Sequence, residues 1–430
     1  MKLQILKYEF KKIFCKKSVL ISFVVLTFYL AAMLFFNIKG TPYITYVNAD
    51  GTDIKGIKAI KLLKNAKMTW NGPLTEERIR TVLEKNQTIN SQSKYASIKN
   101  ADSNTKLSDS DAKLSNMQYS EKQEFNDIKA LICCSYSEFR SYDYDLMDKL
   151  DVNNSNKFYS NRINQLKTWL KSQEANQLSA GKKRYLIHSA ETLNTPFEYS
   201  YADGWSIALE YSAAVIYALA FVICILLAPI FSFEYQTGAA AILLSTEHGK
   251  KKAIIYKLIA GLLSITLVYF VFMFLANLPI FLMFGIEGGN CPLQAYMGGW
   301  KSFYHITNSQ AFGMVVLLGY IACLFIGTLS MFLSSKVKSS FFTIILIFLI
   351  MMVPAILDKS IGVQGILQKI LSVMPHQLML GWRLITAFTL YDIHGKVFTP
   401  YEILPWLYIF IIITLLPFTY LASQKYRTDI

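Results

Sequence analysis

The 430 residues contain no GxxxxGK[ST] phosphate loop, no HExxH helix and no GxSxG nucleophile elbow. Those absences remove the commonest sequence routes to nucleotide hydrolysis, zinc-dependent hydrolysis and acyl transfer by this chain itself. Cysteine is sparse, with six residues and no CxxC spacing, so a zinc ribbon or a redox pair is excluded. Cys133 and Cys134 are adjacent and could join only in a strained ring. The five histidines, His188, His248, His305, His376 and His394, are spread along the chain, and no metal cluster is expected. Charge is the last thing missing, and it is missing in blocks: long stretches carry almost no Asp, Glu, Lys or Arg.

Those blocks are Ser18 to Phe36, Ser206 to Phe233, Ala253 to Phe284, Ala311 to Leu333, Phe341 to Leu357 and Ile403 to Ala422. Each approaches or exceeds the roughly 20 apolar residues that cross a bilayer as a helix. A core helix of a soluble protein would show a polar stripe at helical spacing, and these runs are apolar on every side. The first run ends in Phe35-Phe36-Asn37-Ile38 without a small-residue cleavage site, so it reads as a retained span and not as a signal peptide. Glu210 is the one ionisable residue singled out within a run, close to an end, where headgroup-level solvation suffices.

Orientation follows from the short loops. Segments 1–17, 234–257, 334–340 and 423–430 hold 14 Lys/Arg against 4 Asp/Glu, whereas 286–306 and 358–402 hold 5 against 4. The positive-inside rule then places both termini in the cytoplasm and residues 37–205 outside. The formal charge of +14 is accounted for largely by that asymmetry, and no nucleic-acid partner is needed to explain it.

The first seventeen residues place Leu3, Leu6, Phe10, Ile13 and Phe14 within about 100° on a helical wheel, with lysines elsewhere. This pattern predicts an interfacial helix with its lysines toward anionic headgroups. In the 37–205 insert a strand-or-turn stretch holds Thr41-Pro42 and Ala49-Asp50-Gly51. Helical patterns follow at Glu76 to Leu83 and along Phe125, Ile128, Leu131, Ile132 and Phe139. Residues 86–120, rich in Ser, Asn, Asp and Lys, read as a mobile connection. Leu178-Ser179-Ala180-Gly181 echoes an ATPase signature loop, but it is expected outside with no nucleotide site near it.

The segment after the second run is patterned beyond what a loop needs. Glu234 precedes Gly238 by one helical turn, a short apolar stretch reaches Leu243 and Leu244, and Ser245, Thr246 and Glu247 lead into a basic run that includes Lys250. Apolar knobs among charges suit docking to a soluble partner. In the fourth run Gly319, Cys323 and Gly327 repeat every four residues, a small-residue seam for close helix approach. Contact within one chain is favoured for it over a subunit interface.

This order of amphipathic helix, span, insert, span, Glu-Tyr-Gln-Thr-Gly with Leu-Leu-Ser-Thr and a basic cluster, then four more spans, resembles ABC-2 type permeases of bacterial ABC transporters. The resemblance implies an all-α polytopic membrane protein of six transmembrane helices. Its parts would be an elbow helix at 1–17, a first span at 18–36, a mainly helical extracellular domain at 37–205, and five further spans over 206–430. It also implies a coupling loop at 234–252 that seats on a separate ABC ATPase, an outer re-entrant segment at 358–402, and a second permease subunit, identical or homologous. This chain would then be no enzyme and bind no cofactor; ATP and Mg would sit on the partner subunit. The expected function is a permease subunit of an ATP-driven exporter of an apolar or amphiphilic cargo such as a peptide or lipid-like compound. An ATP-coupled complex for antimicrobial-peptide sensing or immunity is the alternative, and a scaffold or receptor without an ATPase is a more distant one.

Overall fold

The computed structural model describes residues 2–95, 108–240, 249–359 and 365–424. The chain opens with α1 (Lys2–Phe14), followed at once by α2 (Lys17–Lys39). The insert contains α3 (Ile57–Met68), α4 (Glu76–Ser91), α5 (Asp109–Lys122), α6 (Asn126–Tyr136), α7 (Leu146–Lys149), α8 (Phe158–Trp169) and α9 (Ala180–Glu191). Then come α10 (Asp203–Leu227) with α11 (Pro229–Gln236), α12 (Ile254–Phe284), α13 (Asn308–Lys336), α14 (Ser340–Lys359), the short α15 (Ile366–Leu371), α16 (Pro375–Met379) and α17 (Gly381–Thr386), and finally α18 (Pro400–Gln424).

Among the described residues six stretches are long and apolar enough to cross a membrane: Lys17–Phe36, Asp203–Gln236, Lys251–Phe284, Asn308–Lys336, Ser340–Lys359 and Pro400–Gln424. They contain the six runs read from sequence, so the fold is the all-α polytopic bundle expected. Spans two, three and four bury 67%, 50% and 50% of their most apolar windows, against 17%, 17% and 22% for spans one, five and six. The first group therefore forms the packed centre, and the second presents its side chains outward, where Phe28, Phe341 and Phe410 are more than two-thirds exposed. In a bilayer such apolar exposure faces lipid at no cost.

The insert stands over one end of the bundle and α1 lies at the other. Its core gathers Leu74, Ile79, Leu83, Phe125, Ile128, Leu131 and Ile132 around Trp300 and Ala295 from the loop between spans three and four. The expected stripe on α6 is thus buried, except that Phe139 lies beyond the helix end and joins the bundle cluster instead. The turn at Ala49-Asp50-Gly51 closes a hairpin of β1 (Thr45–Val47) and β2 (Asp53–Lys55). The expected connection at 86–120 is corrected in part. α4 runs on to Ser91, and α5 starts on Ser108, whose hydroxyl accepts from the Asp111 amide with acids in the first turn. A capped helix start overrides a composition that reads as loop. Residues 96–107 lie outside the described residues. Ser179, from the signature-like tetrapeptide, caps α9 in the same way and also donates to Asp392 at 2.8 Å. The segment 358–402, expected to be re-entrant, contains α15 to α17 and the hairpin β3 (Tyr391–Ile393) with β4 (Lys396–Phe398).

Candidate functional site

At the α1 end, span two changes character at Ala228-Pro229. Proline cannot donate an amide and disturbs the turn before it, leaving backbone groups to be satisfied otherwise. Ser334 of span four does this: its hydroxyl donates to the Ala228 carbonyl at 2.6 Å and accepts from the amides of Phe231 and Ser232 at 3.1 Å each. Ser232 adds a bond to the Ala228 carbonyl at 2.9 Å and meets the Ser340 hydroxyl at 2.7 Å. The last two turns of span two, α11, are thereby fixed to the turn between spans four and five. α11 is capped by Thr237, and the next residue, Gly238, has a φ of +71°, the left-handed conformation in which glycine commonly stops a helix.

Glu234 lies in the last turn of α11, and its carboxylate is shared. One oxygen accepts from Lys12 of α1, the other from Lys257 of span three. The Glu234 side chain is 8% exposed and that of Lys257 1%, so their charges depend on one another. Lys257 also lies over the Phe231 ring, 5.4 Å from its centroid. Glu9 is buried nearby with one carboxylate oxygen lacking a hydrogen bond, and burial raises its pKa against the pull of Lys257 and Lys12. Lys16 reaches the Pro229 carbonyl at 3.5 Å and covers the Phe233 ring; burial and then repulsion from Lys12 bring its pKa down to about 8. Three separate elements, α1, α11 and span three, thus meet on one carboxylate at the base of the expected coupling loop.

A profile of the ABC-2 family transporter proteins matches residues 3–396. The chain belongs to the ABC-2 transporter family. It is therefore a membrane permease subunit of an ABC transporter, a component that in this family lacks an ATPase of its own and works with an ABC ATPase. No curated protein and no solved structure matches the chain.

Of the loop residues singled out in this permease, Leu243, Leu244, Ser245, Thr246 and Glu247 lie outside the described residues. Lys250 falls in a π-helical turn, Gly249–Ala253, that leads into span three. Leu3 lies in α1 with Leu6, Phe10, Ile13 and Phe14. Ile13 is buried, and Leu6, Phe10 and Phe14 pack against the bundle core, so the apolar side of α1 rests on protein. Phe14 continues through Phe23 to Phe272 in an aromatic row from α1 into span three. The Gly319, Cys323, Gly327 seam faces spans two and three. A Cβ on Gly319 would lie 2.6 Å from Ile216, and one on Gly327 2.4 Å from Ile265.

Sequence reasoning missed Lys257 and Glu9. Lys257 is hidden because its partner lies 23 residues away across a turn, where no helical periodicity connects them. Glu9 left a weak signal: it is the one acid among seventeen basic-rich residues and falls at i,i−3 from Lys12.

The other omission is at the insert end. Lys67 of α3 is 6% exposed at its side chain and reaches Asp203, the start of span two, at 2.9 and 3.1 Å, and Asp127 of α6 at 3.0 Å. Burial pulls the Lys67 pKa down, but the two carboxylates outweigh it and hold the amine above its ordinary range. Tyr199 donates to the second Asp127 oxygen at 3.1 Å. One turn earlier Lys64 pairs with Glu287 at 2.5 Å. Through Lys64 and Lys67, α3 attaches the insert to the permease bundle. Glu210 accepts from Tyr296, and Asn277, deep in span three, donates to its own helix at Met273 at 2.8 Å.

Proposed function

We propose that this permease subunit is half of an ATP-driven exporter, with residues 234–252 seated on a separate ATPase that binds ATP and Mg. The Glu234 bridge supports this reading most. A loop transmits movement only if its base is rigidly tied to what must move, and one carboxylate here ties α11 to both α1 and span three. Nucleotide would favour one global arrangement because that arrangement holds the ATPases together more tightly. A second permease subunit completes the path, both termini are cytoplasmic, and residues 37–205 are extracellular. The cargo is apolar or amphiphilic, a peptide or lipid-like compound, since the spans carry few charges away from their ends.

The sensing or immunity reading is favoured by a different observation. Span two is fastened to the insert at Asp203 and to the loop base at Glu234, so a ligand captured by the insert has a direct mechanical route to the ATPase. The decisive test is co-purification of the adjacent ATPase with Glu234→Ala and Leu243→Asp variants. Undiminished co-purification and unchanged hydrolysis would sink the coupling role. Orientation is tested by labelling in sealed cells with an impermeant thiol reagent. Cys133 and Cys134 are buried and unsuitable, so the exposed Tyr144 is replaced by cysteine in a Cys15→Ser background; labelling is expected, and native Cys15 should label only after the membrane is opened.

A further inference from the structure

Arg162 of α8 is a buried charge without a counter-ion. It is 7% exposed and donates from Nε to the Trp300 carbonyl at 3.0 Å and from Nη2 to the Ser302 carbonyl at 2.8 Å. Carbonyls satisfy its hydrogen bonds but carry no formal charge, and among the described residues Arg162 makes no ion pair. The Glu234 and Lys67 clusters set cations against carboxylates, which is the general condition for keeping charge inside a protein. Desolvation brings the Arg162 pKa down to about 10, so the guanidinium stays charged at neutral pH.

Beside it lies a cavity of ≈ 10 Å³ walled by Phe139, Phe303, Phe388 and Trp300, with Arg162 and Lys301 supplying the cations. Space of that order holds about one water-sized particle. Lys301 donates to the Phe139 carbonyl and likewise makes no ion pair among the described residues. Trp300 is 1% exposed, and its buried indole N–H has no partner among the described residues. Gln165 completes the wall, its amide nitrogen bonded to the carbonyls of Ser135 and Cys134 at 2.5 and 3.1 Å. The lining therefore offers two cations without an ion pair among the described residues and no carboxylate; the rings beside them, Trp300 at 5.6 Å from Arg162 and Phe139 at 5.1 Å from Lys301, supply cation–π contacts but no formal counter-charge.

We propose that this cavity binds a small monovalent anion of the chloride class, held between Arg162 and Lys301. A water would fill the space and leave the buried guanidinium without a counter-charge; a halide supplies one, with half-buried Lys301 on its open side. The walls come from α8, from the loop between spans three and four, and from the segment between α17 and β3, so the anion fastens the insert to the bundle at a second place, distant in sequence from Lys67.

The test is thermal unfolding of the full-length permease in nanodiscs, in chloride against gluconate at fixed ionic strength. Chloride should raise the midpoint saturably by about 2–4 °C, the scale of a ligand at many times its Kd. Bromide should substitute for it. Lys301→Met should abolish the shift, with Lys171→Met as an exposed-lysine control that keeps it; Arg162→Gln is the second variant, and Lys301→Met suffices if Arg162→Gln does not fold. Equal midpoints in chloride and gluconate would mean water alone occupies the cavity and overturn the site. So would a chloride shift that survives Lys301→Met.

Discussion

The two ends of span two carry the same device with its signs reversed. At the insert end one lysine, Lys67, is shared by two carboxylates, Asp203 and Asp127; at the α1 end one carboxylate, Glu234, is shared by two lysines, Lys12 and Lys257. In each, one arm belongs to an element outside the bundle core and is the more exposed: Asp127 at 28% and Lys12 at 26%. The inner pair alone would be neutral, so the third charge adds no neutrality and must be kept for the attachment it makes. The difference lies in what is attached: α3 and α6 of the insert at one end, α1 and span three at the other.

The strongest way to break this symmetry is to remove each shared group. Glu234→Ala leaves Lys257 buried without its ion-pair partner and facing Lys12, a loss of about 3–5 kcal/mol in comparable buried pairs. We expect a clear fall in thermal midpoint together with detachment of α1, read as faster hydrogen exchange over residues 2–14. Lys67→Met leaves buried Asp203 without its cation, should cost a similar amount, and should expose the insert to limited proteolysis while leaving α1 unchanged. If both variants loosen the same end, the two clusters do not act separately.

Much of this architecture was legible because its cause is local. Apolarity over about twenty residues fixes a span whatever its neighbours do, and Gly238 after Glu234 is readable as a helix stop. The triads were not legible because their members come together only through the fold: Lys67 meets Asp203 across 136 positions and Lys12 meets Glu234 across 222. In sequence Lys12 is one of several lysines expected to face headgroups, and no spacing marks Lys67 among the lysines around it. Only the depth at which each helix docks turns one lysine of each into a buried ion partner.

Protonation separates the ends further, with a smaller effect. The Lys67 pKa is raised, so its contribution is complete below the ordinary lysine value and is lost only as pH climbs through the still higher folded value; insert attachment should be flat from pH 7 to 9.5. The Lys16 pKa is depressed to about 8, so its contribution is present above the ordinary lysine value and is lost as pH falls through about 8. Exchange protection of α1 should therefore weaken from pH 9.5 to 7, and a Lys16→Met variant should lose that dependence. The buried His376 in α16 behaves likewise at lower pH. Burial depresses its pKa despite Asp358 at 3.6 Å, so its stabilising contribution is lost as pH falls through its folded value. Protection factors over 375–386, corrected for the intrinsic exchange rate, should be lower at pH 5.5 than at 7.5, and unchanged protection would show that the site tolerates the charge.

The smallest expected effect is the sharpest test of the reversed-sign comparison. Asp127→Asn and Lys12→Gln each remove the exposed arm and leave a neutral inner pair, Lys67 with Asp203 or Lys257 with Glu234. Truncating a partly exposed partner whose companion remains paired costs roughly 0–1 kcal/mol, so neither thermal midpoint should move much. Their functional consequences should nevertheless differ. Lys12→Gln unties α1 from the loop base and should reduce ATPase-coupled transport while cargo binding persists. Asp127→Asn keeps α3 on the bundle through Asp203 and frees only α6, so it should change the response to cargo and leave basal hydrolysis unaltered. A midpoint loss as large as that of Glu234→Ala in either variant would show that the outer arm carries the cluster. Identical transport phenotypes in both would show that the two ends of span two are not specialised, whatever the signs of their charges.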